Sequence, residues 1–292
     1  DPREGARSVA RVRSDRGQGD DSVTYWINGI AGASPSALDR GLHYGDGLFE
    51  TMTCRNGHLR FAELHWQRLA RGCEQLRIGS LDMDALRREA AAACTVEPSI
   101  IKVIVTRGVG GRGYAPAEAG TPTRILLRYP MPRDPDEFWT EGVSVVWSGV
   151  TLAGQPRLAG VKHLNRLEQV LARVELAGST DAEALMCNAD GHVICGTMTN
   201  VFIVTGHRLR TPRLDQAGVA GVMRAVVLRE AEALGVQIEE AALDRTDVAD
   251  AQEIFLTNAR IGAWPVRSLA GAPRDVGPVA LRVQAHLHRL DH

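Results

Sequence analysis

Short β-branched runs alternate with longer helical runs on both sides of a proline-rich break, and this pattern constrains the fold more than any single residue does. In the first half, Tyr25 to Asn28 ends at the turn dipeptide Asn28-Gly29, and Gly47 to Thr53 is a strand pattern stopped by Asn56-Gly57. Leu64 to Leu76 has helical spacing, with Leu64, Leu69, Cys73 and Leu76 near one face and Gly79 beyond the end. Asp84 to Cys94 is a second, alanine-rich helix. Ile100 to Thr106 and Arg124 to Tyr129 are strands separated by the glycine-rich turn Gly108, Gly110, Gly111 and Gly113. The stretch Pro130 to Asp136 carries three prolines and is the predicted domain boundary.

The second half repeats the alternation without repeating the sequence. Val143 to Trp147 is a strand, and Leu164 to Leu176 a helix that Leu164, Leu167, Val170, Leu171 and Val174 are expected to anchor. Ala182 to Cys187 and His192 to Cys195 form a hairpin turning at Asp190-Gly191, and Val201 to Val204 is a strand. Val219 to Leu234 is a helix ending at Gly235, and Glu253 to Thr257 a late strand. Mixed elements in both halves predict two α/β or α+β domains, residues 23–132 and 137–292. Residues 1–22, rich in Arg, Asp, Gly and Ser, read as a flexible extension that is neither part of the fold nor a signal peptide.

Composition removes several function classes. The 34 basic and 35 acidic residues nearly cancel, and no basic run interleaves with aromatics, so a nucleic-acid partner is not expected. No apolar run approaches the roughly 18 residues of a spanning helix, which predicts a cytoplasmic chain without membrane contact. The five cysteines are odd in number and lack C-x-x-C spacing, arguing against a disulfide framework and against a metal site.

Only Lys102 and Lys162 among the basic residues are lysines, and only lysine can be deprotonated to act as an amine nucleophile. Lys162 stands before the helix at Leu164, flanked by apolar residues. It is either a surface lysine at a helix start or a desolvated amine able to form a Schiff base with an aldehyde. Lys102 lies in a strand on the side of Ile100 and Ile104 and reads as an edge or half-buried structural lysine. A phosphate cradle is offered by Gly218 to Arg224 at the start of the late helix, by Thr257 and Asn258 at a strand end, and by Arg68 on the first helix.

Several ordered segments carry a resemblance. Leu38 to Glu50, His65-Trp66-Gln67-Arg68-Leu69, the run around Lys162, Thr199-Asn200-Val201-Phe202 and Gly218 to Arg224 resemble the fold-type IV pyridoxal-phosphate enzymes, over about Tyr25 to Pro265. The resemblance implies two mixed α/β domains with pyridoxal 5'-phosphate in the cleft between them, and a homodimer. Within the family, Lys162 to Leu171 and Arg107 to Tyr114 are similar to the aminodeoxychorismate lyases. D-amino-acid aminotransferases usually place Tyr where this chain has Phe49 and His where it has Tyr114. The resemblance thus implies conversion of 4-amino-4-deoxychorismate to para-aminobenzoate and pyruvate, a step toward folate. A D-amino-acid or branched-chain aminotransferase is the alternative enzyme.

By that resemblance, Lys162 would hold the cofactor and act as base and acid at the substrate carbon. Arg68 would bind the phosphate, aided by the N–H groups of Val219 and Ala220 and by Thr257 or Asn258, with Thr199 and Asn200 also at the cofactor. Arg112, Phe49 and Tyr44 would line the substrate, Arg112 taking a carboxylate. The family places a Glu against the pyridine nitrogen, and counting back from Asn200 puts Cys195 there. A carboxylate keeps the pyridine protonated, whereas a neutral thiol is a weak partner. This departure leaves a cofactor-binding pseudoenzyme as a reading from another class.

Overall fold

In the computed structural model, which describes residues 11–12, 23–116 and 120–290, the β-branched runs of the first half assemble into one antiparallel sheet. Its elements are β1 (Arg11–Val12), β2 (Val23–Ile27), β3 (Ile30–Ala31), α1 (Arg40–Tyr44), β4 (Gly47–Arg55), β5 (His58–Leu59), α2 (Ala62–Leu76), α3 (Met83–Ala93), β6 (Ser99–Thr106) and β7 (Thr123–Pro130). The sheet order is β1-β2-β7-β6-β4-β5, with β3 beside β2. Strand β6 is therefore central, so Lys102 is not on an edge. Helix α2 buries His65, Trp66, Leu69 and Cys73, a stripe with the 3.6-residue spacing of a core-facing helix. The supposed N-terminal extension lies outside the described residues, except that Arg11–Val12 pairs with Val23–Thr24.

The other unit contains α4 (Glu137–Thr140), β8 (Val143–Leu152), α5 (Leu167–Glu175), β9 (Glu183–Asn188), β10 (Val193–Gly196), β11 (Asn200–Thr205), β12 (Arg208–Pro212), α6 (Val222–Arg229), α7 (Ala231–Leu234), β13 (Gln237–Ala241), α8 (Arg245–Ala249), β14 (Glu253–Asn258), β15 (Gly262–Leu269), β16 (Ala272–Pro273) and α9 (Pro278–Arg289). Its mixed sheet runs β10-β9-β8-β15-β14-β11-β12-β13, with β16 beside β15. Strand β8 is parallel to both β9 and β15, and β12 is parallel to β13. Val145, Leu185, Val201, Ile203, Leu256 and Trp264 belong to its buried apolar cluster. The described residues thus form two units, the first up to Pro132 with Lys162–Asn165 added, the second Arg133–Val161 with Arg166 onward.

Two expectations need correction. Cys54 and Cys94 are joined by a disulfide, their Cα atoms 5.6 Å apart. A separation of 40 residues leaves no local spacing signature; β4 and the end of α3 bring the pair together. The stripe expected to anchor the helix after Lys162 is exposed within the chain: Leu167 is 77% exposed, Val174 64%, Leu171 56% and Val170 53%. Helix α5 is held instead through its other side, where Glu175 accepts hydrogen bonds from Ser148 and the Gly149 N–H and Glu168 accepts from the Ala153 N–H.

Candidate active site

Consecutive residues of a strand face opposite ways, and on β4 this separates an acid from an aromatic ring. Glu50 points under α2 and is buried. Its Oε1 accepts a hydrogen bond from Arg68 Nε at 2.8 Å, and its Oε2 accepts from Arg68 Nη2 at 2.5 Å and His65 Nδ1 at 2.6 Å. His65 and Arg68 stand one turn apart on α2, the spacing at which side chains share a helix face. Burial alone would raise the Glu50 carboxyl, but the Arg68 charge and the hydrogen bonds from Arg68 and His65 outweigh it and hold it at about 2. Burial, with the Arg68 and Lys162 charges, outweighs the pull of Glu50 and lowers His65 below its ordinary value, so the ring is neutral. With Nδ1–H donating to Glu50, the buried Nε2 of His65 has no partner among the described residues.

On the other face of β4, Phe49 carries both lysines of the chain. Lys162 Nζ lies over its ring 4.1 Å from the centroid, and Lys102 Nζ 5.3 Å from it. Backbone pairing fixes Lys162 here: the Phe49 N–H donates to the Lys162 carbonyl oxygen and the Leu164 N–H to that of Gly47, each at 3.0 Å. Residues 162–164 thus bridge onto the edge of β4. The helix expected from Leu164 begins at Leu167 because Leu164 and Asn165 are engaged elsewhere. Asn165 donates to the Gly45 carbonyl oxygen at 3.2 Å, and Gly45 adopts the left-handed conformation at φ +62. A side chain at Gly45 would be strained by that conformation and would collide with Asn165.

The proposed substrate residues divide. Phe49 adjoins Lys162, whereas the Tyr44 hydroxyl accepts a hydrogen bond from the Gly113 N–H at 3.1 Å and so holds the glycine loop. Buried Arg40 does the same by donating to the carbonyl oxygens of Gly113 and Tyr114, both at 2.9 Å. Arg112 is exposed on that loop.

In the second unit, the phosphate candidates also differ in what they have left to offer. The Thr257 side chain is fully buried at the end of β14 and its Oγ1 has no partner among the described residues. Helix α6 starts at Gly221 with no side-chain cap, leaving its first-turn N–H groups for an anion. The Ala220 N–H, by contrast, donates to the Gly160 carbonyl oxygen at 3.0 Å, within the bridge that pairs Gly160 with Val219. That bridge delays the helix expected from Val219 until Val222. Asn200 donates to the Val219 carbonyl oxygen at 2.9 Å, and Asn258 Oδ1 accepts from the Arg260 and Ile261 N–H groups. Both shape loops here.

Cys195 is buried among Leu152, Ala172, Met186 and Ala217. Burial, reinforced by the Glu183 charge and opposed by Arg166, pushes its thiol up to about 12, so it is neutral across the physiological range. Glu183, which sequence reasoning missed, is fully buried and organises the following loop: its carboxylate accepts from the Thr197 N–H at 2.9 Å, the Thr197 hydroxyl, the Met198 N–H at 3.1 Å and the Thr199 hydroxyl at 3.0 Å. A side chain on Gly196 would stand 2.8 Å from that carboxylate. Thr199 is therefore a loop anchor. The only hint of Glu183 in the sequence was an acid opening an otherwise apolar strand.

The chain is 34% identical over 270 residues to an aminodeoxychorismate lyase of Vibrio harveyi, covering 90% of this chain and 99% of the relative. The crystal structure of 4-amino-4-deoxychorismate lyase from Pseudomonas aeruginosa is 44% identical, with a TM-score of 0.87 over 91% of this chain and 98% of that one. The branched-chain amino acid aminotransferase of Escherichia coli shares the fold, with a TM-score of 0.83 at 24% identity over 91% of this chain and 94% of that one. Residues 47–269 match the model of the amino-transferase class IV family, and the chain belongs to that family.

Proposed function

We propose that this chain is a pyridoxal-phosphate-dependent 4-amino-4-deoxychorismate lyase, releasing para-aminobenzoate and pyruvate. The observation that carries the reading is Lys162, fixed by backbone bonds on β4 with its amine over Phe49, in a chain similar to lyases along nearly their whole length.

Within the second unit the residues fit the cofactor at its phosphate end: an orphaned buried hydroxyl at Thr257 and an uncapped helix start at Gly221 suit a dianion. When bound, the cofactor supplies a ring into which the electrons of a broken substrate bond can flow. Lys162 would hold the cofactor's aldehyde carbon through Nζ. Lys162 would take the proton from the carbon bearing the substrate's amine and deliver a proton to the departing enolpyruvyl group, whose C–O bond breaks as the ring becomes aromatic, so that it leaves as pyruvate. Arg68 would grip the phosphate, with Glu50 orienting its guanidinium through two nitrogens. Cys195 would face the pyridine nitrogen as a neutral thiol, a weaker partner than a carboxylate.

The exposed apolar stripe Leu167, Val170, Leu171 and Val174 supports a homodimer, since a second copy of α5 would cover it. The reading also carries a cytoplasmic location; no described helix is long and apolar enough to cross a membrane.

The test is para-aminobenzoate release from 4-amino-4-deoxychorismate, read by product fluorescence with pyridoxal phosphate present and Lys162→Ala as control. Lysine-dependent release supports the lyase. Cofactor binding without release would instead favour the second reading that Cys195 suggests, a cofactor-binding protein without turnover.

A further inference from the structure

One buried carboxylate serves two bases of α2. Arg68 Nη2 and His65 Nδ1 both donate to Glu50 Oε2, at 2.5 and 2.6 Å, so these two nitrogens lie no further apart than the two bonds laid end to end. Arg68 also takes Oε1 through Nε. The charge of Glu50 is thus matched by a guanidinium that keeps its proton, and none remains to hold a second cation on the imidazole. The charged groups acting on His65 are Glu50 from β4, Arg68 from its own helix and Lys162 from the segment bridged onto β4, two cations against one anion.

Asparagine could supply the one bond that His65 gives to Glu50. The imidazole adds a second nitrogen, Nε2, which can gain a proton and with it a charge. His65 is fully buried, and Nε2 has no partner among the described residues. A buried acceptor left unsatisfied is destabilising. Protonated, the same atom is a donor, and the partner that suits a charged donor beside a guanidinium is an anion.

We propose that His65 is a second cationic residue of the phosphate site, uncharged until a dianionic phosphate comes to Arg68 and then protonated at Nε2, so that anion binding takes up a proton. The proposal rests on the reading of Arg68 as the phosphate residue, and not on the lyase reaction. The charge count explains the arrangement. Glu50 cancels Arg68, so the pair offers a dianion donors without net positive charge, and Lys162, the remaining cation, is assigned to the cofactor's aldehyde carbon. A proton drawn from solvent onto His65 supplies the missing charge, and the only bond formed is N–H. Because the bound state holds one proton more, raising the pH weakens binding.

The probe is sulfate, a tetrahedral dianion that does not itself titrate near neutrality and has no aldehyde to react with Lys162. The full-length, cofactor-free chain is titrated with sulfate by calorimetry at about pH 7.5, above the ordinary imidazole value of 6.5, in buffers of different ionisation enthalpy, which counts the protons taken up. Repeating the titration after saturation with pyridoxal phosphate restricts the count to the shared site. Wild type should take up about one proton, and its affinity should fall by about three- to tenfold for each pH unit above 6.5. His65→Asn, whose amide can still donate to Glu50, should bind sulfate about tenfold more weakly, without proton uptake and without that pH dependence. Lys162→Ala should keep the uptake, which separates the imidazole from the amine. Nitrogen NMR of labelled histidine reads the same event in wild type: Nε2 of His65 should turn from an acceptor into a protonated nitrogen as sulfate is added. No sulfate binding that the cofactor displaces, binding without proton uptake, uptake that persists in His65→Asn or vanishes in Lys162→Ala, or an unchanged Nε2 signal would each overturn the proposal, even in an active lyase. Uptake that depends on His65 in a protein that releases no product would leave this proposal standing and refute the lyase reading.

Discussion

Glu50 engages Arg68 through both carboxylate oxygens, at 2.8 and 2.5 Å, and does so from a fully buried position on the strand next to α2. Removing one partner of a buried pair strands the other. Glu50→Gln should therefore lower stability by about 3–5 kcal/mol, and it should loosen pyridoxal phosphate by freeing the orientation of Arg68. Thermal unfolding and cofactor titration report the two effects separately. A variant as stable as the wild type would show that the pair is not a structural keystone.

The same cluster sets an acid limit. Glu50 is held at about 2, below its ordinary 4.5, so its stabilisation is complete above pH 4.5 and is lost as the pH falls through 2. His65 is lowered from 6.5, and so it too removes stability as the pH falls, beginning below that value. Denaturant unfolding at several pH values between 7 and 3 should show stability declining toward acid. The decline below pH 4.5 should be shallower in Glu50→Gln.

The position proposed for Cys195 would make the two half-reactions of this family separable. A neutral thiol beside the pyridine would weaken the electron sink, which an aromatising elimination tolerates better than transamination does. Cys195→Glu should raise transamination with a keto acid acceptor by on the order of tenfold, the worth of a charge-assisted hydrogen bond, and lyase turnover by less. Equal gains in both assays would sink the idea of selective tolerance.

The Cys54–Cys94 bridge spans 40 residues, for which chain entropy gives about 4 kcal/mol of stabilisation. Thiol reductant should lower the melting temperature of the wild type and leave that of Cys94→Ser unmoved. Reductant insensitivity of the wild type would mean that the bridge does not form in the protein as purified. A cytoplasmic location would keep it reduced.

The apolar stripe on α5 predicts an oligomeric consequence. In the proposed homodimer, Leu171→Glu with Val174→Glu should shift sedimentation to the monomer, because two acids would then be buried unpaired where a second copy covers α5.

Much of this molecule was legible in the sequence where local chemistry decides. The turns Asn28-Gly29 and Asn56-Gly57, the strand of Ile100 to Thr106 and the hairpin at Asp190-Gly191 all follow from period and turn residues. Element starts failed where a long-range bond competed with helix propensity, as at Leu164, which bonds to Gly47, and at Ala220, which bonds to Gly160. Lys162 and Arg68 stood out as candidates in the sequence through their motifs. Glu50, His65 and Glu183 could not be given roles, because each acts on a partner 14 to 18 residues away that only the tertiary fold supplies. Lys102 was visible as a rarity, but its meeting with Lys162 on Phe49 depends on strand register.

That register makes β4 a partition whose two sides have opposite chemistry. A slip of one residue would exchange Phe49 for Glu50 on the lysine face, and the acid would neutralise both amines while leaving Arg68 buried against a phenyl ring. The pairing of β4 with β6 thus fixes, in one register, both the neutral floor under the lysines and the carboxylate that holds Arg68.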